Sequence, residues 1–375
     1  MSETSWKGAN AAAVFQGAAA ALLLAIGAWQ GIAAVASERG QERLRPALNA
    51  ESLLSGRFTG AVNHVLAHEL PADPLLRASG GVFRYDLFRS GGPQVRVGCD
   101  DTLFLTEELR PWPGAEAAMA ERAAIVRRVR DGLAQRGILL TVALVPDKAR
   151  VKRDKLCGAP HSAQAEARYD AFAELLRGQG IQPLLLLRPL MAREAQGGAW
   201  WRTDTHWSQE GARAAAAAIA AALRVYPLSR GTAFRTTAAA EETDGPGDLL
   251  RLMSLDRVPD ALRPAPDRQR LETTAAVEAA SGGGGLLDET PAPEVALVGS
   301  SYSVNANFHG ALQELLRSPV VSAAKAGGGF AGSANDYFGG QTFRETPPRL
   351  VIWEIPERVV GQPLGQGERD LAARW

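Results

Sequence analysis

Three short, unbroken apolar runs limit what this chain can fold into: Ile138–Val145 (ILLTVALV), Val295–Gly299 (VALVG) and Leu350–Ile355 (LVIWEI). Each has the length of a strand. None shows the apolar–polar alternation of a sheet wetted on one face, so they read as strands buried on both faces of a parallel sheet. Pro183–Leu187 (PLLLL) reads as a further buried strand, and Pro319–Ala323 as a short one. Helical stretches lie between them: Ala115–Gln135, with Ile125, Val129 and Leu133 at helical spacing, then Ala163–Leu176, Phe308–Leu316 and Ser333–Phe338. Strands alternating with helices predict an α/β fold. The main domain is expected over residues 95–360. Within it 232–294 is an irregular insertion holding the Ser281–Gly285 run, and 361–375 follow as a loose C-terminus.

Ahead of this domain, Ala11–Ala36 is apolar except at Gln16 and Gln30. It is just long enough to cross about 30 Å of hydrocarbon as a signal anchor. Its uninterrupted core, Gly17–Trp29, is as short as a signal-peptide core, and Ala34–Val35–Ala36 would serve as a cleavage site. Either fate leaves residues 1–10 cytoplasmic and places the rest outside the cytoplasm. Residues 37–94 read as a helical juxtamembrane segment. There His64 and His68 share one helix face but lack a third metal ligand. The 41 basic and 41 acidic residues balance, which argues against a nucleic-acid partner. Cys99 and Cys157 form no CxxC or Cys/His cluster, so no zinc site is expected; in an exported chain the two can pair as a disulfide.

The chemistry concentrates in WRTDTHWSQEGA, where Asp204 stands two residues before His206 and Ser208 caps an alanine-rich helix. Residues i and i+2 of an extended stretch face the same way, so the carboxylate can hold the imidazole in one tautomer. A nucleophile is expected on a strand-to-helix turn. The run VALVG ends in Gly299–Ser300–Ser301–Tyr302–Ser303, whose helix amino terminus offers N–H groups to an oxyanion. Ser301 is the favoured serine, with Ser300 and Ser303 as competitors. His161 and His309 lack an acidic residue at such close range. Pro146–Arg150 sits at the carboxyl end of a strand, where α/β proteins place ligands.

Four segments, VGCDDTLFLTEE, VPDKARV, TDTHWSQEGA and LVGSSYSVN, with IWEIPERVV as a weaker fifth, resemble the AlgJ/AlgX-type branch of the SGNH (GDSL-like) hydrolase superfamily in order and separation. The resemblance implies an SGNH-hydrolase-like parallel sheet and a periplasmic O-acetyltransferase acting on an exopolysaccharide such as alginate. It matches Asp204, His206 and Ser301 to the triad, with acetyl-serine as intermediate and no cofactor or metal. The implied partners are the exopolysaccharide acceptor, a membrane-bound acyltransferase supplying acetyl groups, and a polysaccharide synthesis and export complex. Trp207, Tyr302 and Trp353 are expected to stack on sugar rings. Lys148, Arg150 and Arg358 are expected to meet an anionic sugar carboxylate. Ser300 replaces the family's usual Thr or Asp, and the oxyanion-hole residues do not transfer; Gly327–Gly329 and Asn335 are candidates. A carbohydrate acetyl-esterase and a non-catalytic polysaccharide-binding or assembly subunit are the rival readings.

Overall fold

The computed structural model describes residues 3–277 and 292–375, so the Ser281–Gly285 run lies outside the described residues. Two units are distinguished, Met1–Phe83 and Arg84–Trp375.

The first unit is helical. Its first helix is Glu3–Ala36, of which Ala13–Ala36 is long and apolar enough to cross a membrane. Leu22, Leu23 and Leu24 stand exposed along it, as they do on a helix with no protein core around it. Three shorter helices follow, Glu38–Leu44, Ala50–Leu54 and Arg57–His68, the first two opened by side-chain caps at Ser37 and Asn49. His64 and His68 stack on the exposed face of the third. The helix Asp73–Phe88 runs across the unit boundary.

The second unit is built on a five-stranded parallel sheet. In chain order its strands begin with a small antiparallel pair, β1 (Val95–Val97) and β2 (Leu103–Leu105), outside the main sheet. The main sheet contains β3 (Leu139–Val145), β4 (Leu184–Leu185), β9 (Val295–Val298), β10 (Val320–Ser322) and β11 (Leu350–Pro356), in the spatial order β10-β9-β11-β3-β4. Successive side chains of the central strands serve opposite cores. Val142, Leu144, Val351 and Trp353 face one layer, packed by helices Ala115–Ala134 and Ala163–Gly178. Ala143, Val145, Leu350 and Ile352 face the other, packed by helices Gln209–Ala222 and Phe308–Leu316. This double burial is why the strands read as unbroken apolar runs. Each fully buried aliphatic side chain contributes roughly 1.5–3 kcal/mol.

Three features differ from expectation. Of PLLLL only Leu184 and Leu185 pair with β3; the helix Leu187–Ala195 starts at once and buries Leu190. The insertion is more regular than its composition suggests. Within it β5 (Phe234–Ala238) pairs with β8 (Glu272–Ala276), β6 (Thr243–Asp244) pairs with β7 (Arg268–Gln269), and the helix Asp248–Leu252 lies between β6 and β7. The C-terminus is not loose. Helix Gln366–Arg374 buries Leu371, Glu368 pairs with Arg122, and Trp375 packs edge-on against Phe338 at 5.3 Å between centroids. Cys99 and Cys157 form a disulfide, with Cα atoms 5.6 Å apart.

Candidate active site

β9 ends in a turn that leaves no room for a side chain at Gly299. A Cβ there would collide with the Ser303 hydroxyl and the Glu354 carboxylate. Glu354, on β11 and 1% exposed, gathers the flanking serines. Its Oε2 accepts the Ser300 N–H at 2.7 Å, the Ser300 hydroxyl at 2.9 Å and the Ser303 hydroxyl at 3.0 Å. Burial pushes this carboxyl up, against those hydrogen bonds. Ser300 Oγ also accepts the Tyr302 N–H, so it is the N-cap of the turn. Both competing serines are thereby committed, and Ser301 is left. The helix that follows, Ser301–Val304, is a single turn. Its macrodipole is small, but the Ser301 N–H has no acceptor among the described residues and can donate to an oxyanion.

His206 Nε2 lies 2.7 Å from Ser301 Oγ, and its Nδ1 lies 2.7 Å from Asp204 Oδ1. Asp204 Oδ1 also accepts the His206 N–H at 2.9 Å, and Oδ2 accepts the Asp248 N–H at 2.7 Å. Burial pushes the Asp204 carboxyl up, but the hydrogen bonds and charge of His206, with the two N–H donors, outweigh it and hold Asp204 at about 2. The loop carrying the pair is closed by the Trp200–Trp207 bridge and fastened by Asp267, which accepts the Arg202 and Thr203 N–H groups. The buried Lys148 donates to the carbonyls of Leu103, Arg202 and Asp204 at 2.6–2.9 Å, and burial lowers its ammonium to about 8.

Asp248 is a member of the site that the sequence did not single out. It comes from the insertion, 44 residues beyond Asp204. Its Oδ1 accepts the Thr205 N–H at 2.7 Å, its Oδ2 accepts the Thr205 hydroxyl, and Oδ2 stands 3.6 Å from His206 Nδ1. Burial, then the charge of Asp204, raise its carboxyl. Asp204, His206 and Asp248 also place one potential metal-ligand atom each within 4.8 Å of one another. Asp204 and Asp248 direct their oxygens to N–H and hydroxyl donors within the site, the imidazole included. No local signal marks Asp248, because its approach depends on how a long excursion returns.

The six expected sugar contacts sit elsewhere than on an open surface. Trp207, Tyr302 and Trp353 are at most 1% exposed and cannot stack on a sugar ring. Tyr302 instead bonds the Thr205 carbonyl, and Trp207 bonds the Tyr302 carbonyl. Lys148 is buried with three carbonyl acceptors, and Arg150 is paired with Glu357 and the Ala165 and Glu166 carbonyls. Arg358 is as enclosed as Arg150, and lies 5.0 Å over the Tyr302 ring and 3.4 Å from Glu108. Asn335 donates to the Gly367 carbonyl. His161 pairs with Glu166 and His309 bonds the Val320 carbonyl.

Residues 95–357 match the family described as "SGNH hydrolase-like domain, acetyltransferase AlgX". A protein of Pseudomonas putida named probable alginate O-acetylase AlgJ is 35% identical over 358 residues, 94% of this chain and 90% of that protein. Its namesake in Pseudomonas aeruginosa is 33% identical over 332 residues, 86% of this chain and 84% of that protein. The solved O-acetyltransferase domain of Pseudomonas putida AlgJ superposes with a TM-score of 0.66 at 35% identity, covering 76% of this chain and all of that one.

Proposed function

Because the chain belongs to the AlgX-type family of SGNH hydrolase-like domains, we propose that it transfers acetyl groups to hydroxyls of an exopolysaccharide, alginate in the named relatives, through an acetyl-serine on Ser301. The observation that carries this reading is the continuous line Asp204 Oδ1, His206 Nδ1, His206 Nε2, Ser301 Oγ, with 2.7 Å at both hydrogen bonds.

In the first half-reaction the Ser301 proton passes to His206 Nε2 and Oγ attacks the acetyl carbonyl of a donor. The Ser301 N–H faces the oxyanion. The donor's leaving oxygen takes the proton from Nε2 as its bond to the acetyl carbon breaks. In the second, a sugar hydroxyl gives its proton to Nε2 and attacks the acetyl-serine, and Ser301 recovers the proton as the ester leaves. Asp204 keeps Nδ1 protonated and supports the imidazolium. Asp248 adds a second negative charge on the same side and braces Asp204 through its N–H. The apolar helix Ala13–Ala36 suits an inner-membrane anchor that holds the domain in the periplasm. There a membrane-bound acyltransferase supplies the acetyl group within a polysaccharide synthesis and export complex.

The test is acetyl transfer from an activated acetyl ester to an oligouronate. Ser301→Ala should abolish both transfer and the trapped acetyl-enzyme seen by mass spectrometry. Transfer retained in that variant sinks the reading, and turnover to water alone in the parent chain favours an esterase.

A further inference from the structure

A polar cleft of about 360 Å³ opens between the loop that carries Asp204 and His206 and the strands of the insertion. One wall is Gly198, Trp201 and Ser208–Glu210; the other runs along β7 and β8 through Arg270 and Glu272. The walls are tied together, since Gln209 Nε2 donates to the Arg270 carbonyl and the Asp267 carboxylate holds the N–H groups of Arg202 and Thr203. The volume lies in the range of small-ligand pockets, roughly 300–1,000 Å³.

Three lining side chains are unengaged. Trp201 stands between the buried Trp200 and the triad loop, yet it is partly exposed and its indole has no ring, cation or hydrogen-bond partner among the described residues. Arg270 is exposed and has no acidic partner there, whereas its neighbour Arg268 is paired with Asp244 and Glu242. Glu272 is half-buried, with its carboxylate also unpartnered among the described residues. An aromatic face, a guanidinium and a carboxylate on rigid backbone are a set that recognises one pyranose unit. The indole covers the apolar face of the ring, the guanidinium forks onto a ring carboxylate, and the carboxylate accepts hydroxyls. The cleft also begins beside the chemistry, for the Trp201 N–H donates to the His206 carbonyl at 3.3 Å and Ser208 is two residues past His206.

We infer that this cleft is an acceptor subsite, which takes one uronate unit of the polysaccharide on Trp201 and Arg270 while a neighbouring unit presents its hydroxyl to Ser301. The inference rests on the transfer reading above and adds where the acceptor strand is gripped.

Binding is measured on the full-length chain in detergent, in the Ser301→Ala background so that nothing turns over, with a defined oligouronate as probe. Trp201→Ala and Arg270→Ala should each weaken binding about tenfold, about 1.4 kcal/mol. Trp201→Phe should restore most of the first loss. The Arg270→Ala effect should shrink with a neutral oligosaccharide of the same linkage. With Ser301 intact, the same substitutions should raise the acceptor KM and spare kcat. Unchanged affinity in both alanine variants, at an unchanged melting temperature, overturns the subsite and leaves the transfer reading standing. Transfer that survives Ser301→Ala overturns the reading itself, whatever Trp201 does.

Discussion

Glu354 separates three adjacent serines by hydrogen bonding alone. It commits Ser300 and Ser303 and leaves the Ser301 hydroxyl to His206. Glu354→Ala strands one N–H and two hydroxyls in a buried turn, so it should cost about 2 kcal/mol or more and loosen the turn that presents Ser301. The measurements are a denaturant midpoint and the kcat for an activated acetyl ester, and an unchanged midpoint contradicts the role. Asp204→Asn permits the wrong tautomer and should lower kcat by roughly 10⁴. Asp248→Asn keeps an acceptor for the Thr205 N–H but removes a charge 3.6 Å from Nδ1. It should lower kcat/KM for an activated acetyl ester, because one of the two charges that support the imidazolium is gone. An unchanged kcat/KM means that Asp248 acts as a brace only. The meeting of Asp204, His206 and Ser301 was readable from sequence, because local spacing places the first two together and a strand-to-turn ending presents the third. The fate of Trp353 was not, because both faces of β11 are buried and an aromatic there serves the core.

At the scale of elements, the site depends on clamps that span the chain. Lys148, one turn past β3, holds β2 and the loop of Asp204 and His206 through three carbonyls, and nothing in the polar run Pro146–Arg150 marks it as buried. The strands were legible because burial on both faces strips out polar residues. The ladders of the insertion were not, since β5 and β8 are mostly exposed and their alternation is weak. The Cys99–Cys157 disulfide closes a span of 58 residues that includes β2, β3 and Lys148. Loop-closure entropy for that span is about 4 kcal/mol. Cys99→Ser with Cys157→Ser should therefore lower the denaturant midpoint without changing the cleavage of an activated ester at low temperature. An equal midpoint in the oxidised parent and the double variant would mean that the covalent link adds nothing to the clamps.

For the whole molecule, acid stability follows from carboxylates pushed in opposite directions. Asp204 is held at about 2, below its ordinary 3.8. Its contribution is fully present above the ordinary value and is lost as pH falls from there through about 2. Glu354 and Asp248 are pushed up by burial, so ionising them costs stability as pH rises above their ordinary values of 4.5 and 3.8. The two groups therefore give a stability that declines from mildly acidic toward neutral pH, while Asp204 makes it fall again in strong acid. The Glu354→Gln side chain does not titrate and keeps most of the contacts to Ser300 and Ser303. In thermal melts of the full-length chain from about pH 2 to about pH 8, that variant should lose part of the decline above about pH 4 and keep the acid fall. Asp204→Asn should do the reverse. If both variants track the parent at every pH, the buried turn and the loop of Asp204 and His206 are uncoupled from global unfolding, and the site melts before the sheet that carries it.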